Sequence, residues 1–255
     1  GPALACGNTV VIKPPPQDPL GMTELARIVA EGLPPGVVNF ISGPAPELGE
    51  ALTTSPDVDM VSFTGSTAVG ARIEEVAGRT MKRTLQELGG KSANIVFDDC
   101  DIAGALRGAM SVFAFHAGQI CIAGTRVLVQ EGLYDDFTAK LAGAASQLKI
   151  GSPYEEGIQV GPVISRAQLE RIEAYVESAR TEGATIACGG GRPASMEKGY
   201  YFEPTLITGA NNQMKVAREE IFGPVVIAIP FKDEAEAIAI ANDSDFGLYG
   251  YVWTK

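Results

Sequence analysis

Apolar and polar positions along this chain follow two alternating periods. Short β-branched runs recur in its first third, separated by stretches with an apolar position every three or four residues. NTVVIK (Asn8 to Lys13), VVNFI (Val37 to Ile41), DMVSFTG and KRTLQEL predict strands. Between them, Leu20 to Glu31, Ala45 to Thr53 and Thr67 to about Ala77 predict helices. The pattern starts over after Lys91. SANIVF, TRVLVQ, ATIAC, YFEPTLI, VVIAIPF and the terminal GYVWT predict strands, and Ile102 to about Phe115, Leu133 to Leu148, Arg166 to Arg180 and Glu234 to Ala241 predict helices.

Strands that alternate with helices imply an α/β fold, and each early connection is long enough for a parallel crossover. Residues 1–90 therefore read as part of a Rossmann-like sheet, and 91–255 as a second α/β domain, with the boundary near Gly89 and Gly90. The stretches GSPYEEGIQVGP and CGGGRPASMEKG read as loops within the second domain, because strands and helices resume directly after them.

Composition narrows the partners. The 255 residues are 45% hydrophobic and 20% charged, ordinary for a folded chain. A net charge of −11 repels phosphate backbones and anionic lipid, so neither nucleic acid nor a membrane surface is an expected partner. Four cysteines without a C-x-x-C pair, and one histidine, suggest neither a disulfide framework nor a metal site, and fit a reducing, cytoplasmic setting.

Four segments carry candidate chemistry. FTGST ends a strand and opens a helix, so Gly65 and Ser66 sit where free N–H groups favour a phosphate; a plain turn capped by Ser66 or Thr67 reads as well. No G-x-G-x-x-G accompanies it. ELGGKS places Glu87 at a strand end before two glycines that free the backbone for an abrupt turn. A carboxylate facing a cleft there would suit a general base, and one facing water would be a solvated charge. GQICIAG sets Cys121 between two isoleucines; a lone cysteine in apolar company is ordinarily a small buried hydrophobe. His116, five positions earlier, reads as a packed or partly exposed side chain rather than the partner of a catalytic pair. The fourth segment is EEIFGP.

Taken together and in this order, the segments closely resemble the aldehyde dehydrogenase superfamily of the NAD(P)-dependent, hydrolytic type. ELGGKS is similar to its glutamate signature, FHAGQICIAGTR to its cysteine signature, and VVIKP, FTGST and EEIFGPV to its cofactor-side segments. The resemblance implies Cys121 as the nucleophile that accepts the acyl group and Glu87 as the base that hydrolyses the thioester. Ile120 and Ile122 would then shape the aldehyde pocket. It also implies Gly65 and Ser66 at the cofactor phosphates, Lys13 at the adenosine ribose, and Glu220 with Phe222 at the nicotinamide ribose and ring. No metal is expected, NAD ranks ahead of NADP, and the complete enzyme is expected to be a homo-oligomer acting on a small-molecule aldehyde. Two departures stand out. Lys13-Pro14-Pro15-Pro16 lacks the glutamate that family members often carry at the position of Pro16. The family's chains are also about twice as long, and their upstream Pro-Trp-Asn segment, which supplies an oxyanion donor, is not in this sequence. The chain thus reads as an internal fragment of a longer enzyme, expected to lack dehydrogenase activity when isolated. The alternatives are a CoA-acylating relative and a fragment that only binds nucleotide or packs with a partner.

Overall fold

The computed structural model describes residues 1–43 and 45–255, and the chain separates into two compact units, Gly1–Glu87 and Leu88–Lys255. The first unit runs α1 (Pro2–Ala5), β1 (Val10–Ile12), α2 (Leu20–Gly32), β2 (Val38–Phe40), α3 (Ala45–Thr54), β3 (Met60–Thr64), α4 (Thr67–Gly78) and β4 (Arg83–Glu87). β1 pairs with β2 and β3 with β4, both in parallel, and in each pair a helix forms the crossover. These are the βαβ steps expected of a Rossmann-like arrangement. Among the described residues they form two separate two-stranded ladders. No residue of the four strands is fully buried, whereas parallel sheets ordinarily have both faces covered.

The second unit runs β5 (Ala93–Val96), α5 (Ile102–Ala114), a one-turn 3-10 helix (Phe115–Gly118), β6 (Arg126–Gln130), α6 (Glu131–Ala145), α7 (Arg166–Thr181), β7 (Thr185–Cys188), β8 (Thr205–Thr208), α8 (Lys215–Arg218), β9 (Val225–Phe231), α9 (Glu234–Asn242) and β10 (Gly250–Trp253). Its six strands lie in the order β10-β5-β6-β9-β8-β7, all parallel except the β7–β8 pair.

The central strands show why this unit is solid. Leu128, Ile227 and Ile229 face one layer, packing with Ile172 and Val176 of α7 and with Ala237 of α9. Val127, Val129 and Val226 face the other, against Val112 and Phe113 of α5 and Phe137 and Leu141 of α6. The two-residue alternation of a strand thus feeds two cores. Each large buried side chain contributes about 1.5 to 3 kcal/mol by leaving water.

The proline positions explain two strand limits. YFEPTLI forms a strand only from Thr205, because Pro204 has no N–H to give the ladder. Pro230 is tolerated inside β9 because β8 pairs only with Val225 to Ile227, leaving Pro230 with β6 alone.

Candidate functional site

Within the first unit the fold brings FTGST and Glu87 together. The Gly65 N–H donates to the Glu87 carbonyl at 3.0 Å, extending the β3–β4 ladder past Thr64↔Glu87. A Cβ on Gly65 would lie 2.4 Å from the tip of the Phe63 ring, a side chain that would have to swing aside. Ser66 is the N-cap of α4, its Oγ accepting from the Val69 N–H at 3.4 Å. Capping uses one of the four orphan donors of a helix start, and the Gly70 N–H turns back to the Ser66 carbonyl. The Thr67 and Ala68 N–H groups are left without an intrahelical partner at the exposed positive end of a twelve-residue helix. A capped N–H and N–H groups without an intrahelical partner therefore coexist at this turn. The Glu87 side chain is exposed, the second of the two readings its strand-end position left open. Lys13, just beyond β1, is half-buried and donates to the Pro14 carbonyl at 3.0 Å, and Pro16 is exposed.

Within the second unit the glycines of ELGGKS meet the other two segments. The Gly90 N–H donates to Glu220 Oε1 at 3.0 Å, and a Cβ on Gly89 would lie 2.5 Å from Glu220 Oε2. A Cβ on Gly90 would stand 2.3 Å from the Cys121 carbonyl oxygen. Neither glycine adopts positive φ. Their role is therefore not the abrupt turn that the sequence suggested. They remove side chains where one strand-end turn must touch both the cysteine loop and Glu220.

The cysteine loop is fixed on every side. Ahead of it, His116 and Ala117 hold left-handed backbone (φ 49° and 50°), followed by Gly118 at 72°. A Cβ on Gly118 would lie 2.0 Å from the Gly223 carbonyl oxygen, which binds this turn to the EEIFGP loop. Gln119 donates to the His116 carbonyl and accepts from the Ile164 N–H, each at 2.9 Å. After Cys121, Tyr251 of β10 donates to the Ile122 carbonyl at 3.1 Å. Cys121 itself is half-buried, neither sealed like Cys100 nor open like Cys6. His116 is exposed. Ile120 is half-buried and packs on the core beneath α5 and α6, so it is spent on packing; Ile122 is 37% exposed and remains available to line a pocket.

Three side chains on one face of α7 hold the EEIFGP loop, and sequence reasoning did not single them out. Gln168 Nε2 donates to the Ile221 and Phe222 carbonyls at 2.9 and 2.8 Å, and Arg171 to the Glu220 carbonyl at 2.7 Å. The Tyr175 hydroxyl donates to Glu219 Oε2 at 2.7 Å. Burial, with that bond to Glu219, pushes the Tyr175 phenol up to about 12. Gln168, Arg171 and Tyr175 recur at helical spacing, a polar stripe beside the buried Leu169, Ile172 and Val176, which was the available signal. The clamp matters because Phe222 is left-handed at φ 60°, a conformation that costs a bulky residue about 1 to 3 kcal/mol. Among the described residues no group of three or more His, Cys, Asp or Glu side chains is placed to hold a metal, and no helix is long and apolar enough to cross a membrane.

The whole chain is similar to known proteins. The sequence profile described as "Aldehyde dehydrogenase family" matches residues 1–255, and the chain belongs to that family. An aldehyde dehydrogenase of Emericella nidulans is 47% identical over 257 residues, covering 100% of this chain and 51% of that protein. A chloroplastic betaine aldehyde dehydrogenase of Atriplex hortensis is 43% identical over 255 residues, with the same coverage. The crystal structure of a Staphylococcus aureus betaine aldehyde dehydrogenase in complex with NAD+ superposes with a TM-score of 0.97 at 42% identity, over 100% of this chain and 51% of that one. The chain thus spans about half the length of the relatives it matches.

Proposed function

We propose that the protein carrying this chain oxidises an aldehyde to a carboxylic acid with NAD(P)+, through Cys121 and Glu87. The observation that carries the reading is the pinned loop of Cys121, held against Gly90 while Gly90 also holds Glu220. Such anchoring fixes a nucleophile's geometry in advance.

The Cys121 thiolate adds to the aldehyde carbonyl and forms a C–S bond, giving a thiohemiacetal on the enzyme. Bound NAD(P)+ supplies the hydride acceptor that turns this adduct into a thioester. Glu87 takes a proton from water, which attacks the thioester carbonyl, and the Cys121–acyl bond breaks to release the acid. The chain's residues fit the cofactor. The Thr67 and Ala68 N–H groups at α4, with Gly65 and Ser66, suit a phosphate, and Lys13 lies at a strand end in the same unit. Glu220 keeps Oε2 available for a ribose hydroxyl while Oε1 is on Gly90.

The relatives named as betaine aldehyde dehydrogenases motivate a small polar aldehyde as a first substrate. Product analysis with and without CoA tests the hydrolytic assignment: free acid in both cases supports it, and an acyl-CoA product overturns it. Replacement of Cys121 by Ala abolishes turnover and leaves cofactor affinity intact; retained turnover overturns the role of Cys121. Pro16 offers no carboxylate to repel a 2′-phosphate, so NADP+ is accepted. NAD+ is preferred by less than about a thousandfold, roughly 4 kcal/mol.

A further inference from the structure

The carbonyls around Cys121 are fixed in different ways. That of Ile120 accepts from the Ala123 N–H at 3.1 Å and that of Ala123 from the Thr125 N–H at 2.8 Å, so both are tied locally. The Cys121 carbonyl is packed against Gly90. The Ile122 carbonyl is held from outside, by the Tyr251 hydroxyl at 3.1 Å, across 129 positions of sequence. Among the described residues this is the only hydrogen bond that ties residues 120–124 to a distant part of the chain.

The tyrosine that makes this bond is itself firmly placed. Tyr251 lies on β10 opposite Asn94 of β5, and β10 is locked there by Trp253, whose Nε1–H donates to Asn94 Oδ1 at 2.8 Å. The Trp253 ring lies against Gly108 of α5, where a Cβ would come within 2.4 Å of it. On the other side, a Cβ on Gly124 would stand 3.0 Å from the Tyr251 ring, and the Tyr249 ring is tilted against it with centroids 5.0 Å apart. Burial first, then Tyr249 and Cys121, push the Tyr251 phenol up, so the hydroxyl keeps the proton it donates. Without that donor the loop would retain its local bonds and its contact with Gly90, and Gly124 would let the backbone beyond Ile122 reorient.

We propose that Tyr251 is a positioning residue for Cys121: by holding the Ile122 carbonyl, its hydroxyl fixes the peptide that follows the nucleophile and keeps the thiol in the placement that addition to an aldehyde needs. This rests on the reading of Cys121 as the nucleophile. Small displacements at such a position are expensive, a shift of about 1 Å costing up to about 10²-fold in rate.

The test uses the protein at its full natural length and Tyr251→Phe, which removes the hydroxyl and keeps the ring. Tyr134→Phe is the comparison, because Tyr134 of α6 makes the same kind of bond, to the Ala228 carbonyl of β9 at 3.1 Å, in the layer of α5 and α6. The rate at which iodoacetamide labels Cys121 is followed by mass spectrometry, and kcat/KM for the aldehyde is measured beside the KM for NAD+. In Tyr251→Phe the labelling of Cys121 quickens severalfold, kcat/KM for the aldehyde falls about tenfold, and the KM for NAD+ stays within about twofold. Changes of opposite sign in thiol labelling and turnover mark a displaced nucleophile, whereas lost stability alone moves neither in the folded protein. Tyr134→Phe leaves both unchanged. The proposal is overturned if Tyr251→Phe leaves labelling and kcat/KM within about twofold of the natural protein, or if Tyr134→Phe alters them as much. Should Cys121→Ala retain turnover, the nucleophile reading fails, while the labelling rate still decides whether Tyr251 holds the loop.

Discussion

Gly90 lies directly against the carbonyl of Cys121, with room for a hydrogen and not for a methyl group: a Cβ would stand 2.3 Å from the oxygen. The obstacle is backbone, in a loop already anchored at Gly118, Gln119 and Ile122. Replacing Gly90 by Ala therefore displaces the cysteine loop. The expected cost is about 1 to 3 kcal/mol in urea unfolding, the usual penalty of overpacking, with Cys121 reactivity toward a thiol reagent altered in parallel. Gly89→Ala meets the end of the Glu220 side chain instead, which can swing aside. It costs less stability and weakens NAD+ binding. Equal stability losses in the two variants would show that the distinction between backbone and side-chain obstacles is wrong.

Exchange of Glu87 for Gln separates the two halves of the proposed reaction. The amide cannot take a proton from water, so hydride transfer proceeds once and hydrolysis stalls. Rapid mixing should give a burst of NADH, and mass spectrometry an acyl group on Cys121, with steady-state turnover reduced about 10² to 10⁴-fold. Unchanged steady-state rates would mean that another group serves as base.

Arg126 is 2% exposed and bonds to three backbone carbonyls and to Asn212. Truncation in Arg126→Met strands those acceptors in the interior. A loss of about 3 to 5 kcal/mol in unfolding free energy is expected, the scale of removing one member from a buried polar network. Arg126→Lys recovers only part of it, because an ammonium cannot reproduce the planar fork.

Tyr175 predicts a feature of alkaline stability. Its phenol is raised to about 12 in the folded protein, first by burial and then by the bond to Glu219. An unfolded tyrosine ionises near 10. The folded state thus holds its proton over a range where the unfolded state releases it, so the contribution is complete below pH 10 and is lost as pH climbs toward 12. In Tyr175→Phe this part of the alkaline decline is absent; identical pH–stability slopes above pH 10 in both proteins would rule the assignment out.

Long periodic helices such as α2, α4 and α7 could be read from the sequence to within a few residues, because an apolar stripe repeated over three turns or more overrides local ambiguity. The four-residue α1 and α8 could not, since one turn carries no period. Strand order was equally hidden: β10 pairs with β5, and nothing local to Val252 names Ile95 as its neighbour. Among the candidate site residues, Cys121, Glu87 and Glu220 were marked by their motifs. The reason for Gly89 and Gly90 was not, because it lies in atoms contributed by residues 121 and 220.

The bonds of Arg126 also set a schedule for the growing chain. Its guanidinium reaches the carbonyls of Ile240 and Ala241, 114 and 115 positions downstream. Translation adds about 5 to 20 residues per second, so those acceptors leave the ribosome about 6 to 23 s after the arginine. For most of that interval β6 lacks its neighbour β9, and throughout it β5 lacks β10, so Tyr251 has not arrived to hold the Ile122 carbonyl. The thiol of Cys121 therefore spends its first seconds outside the tethered loop, open to oxidants and stray electrophiles, and acquires its fixed setting only once β10 has been made.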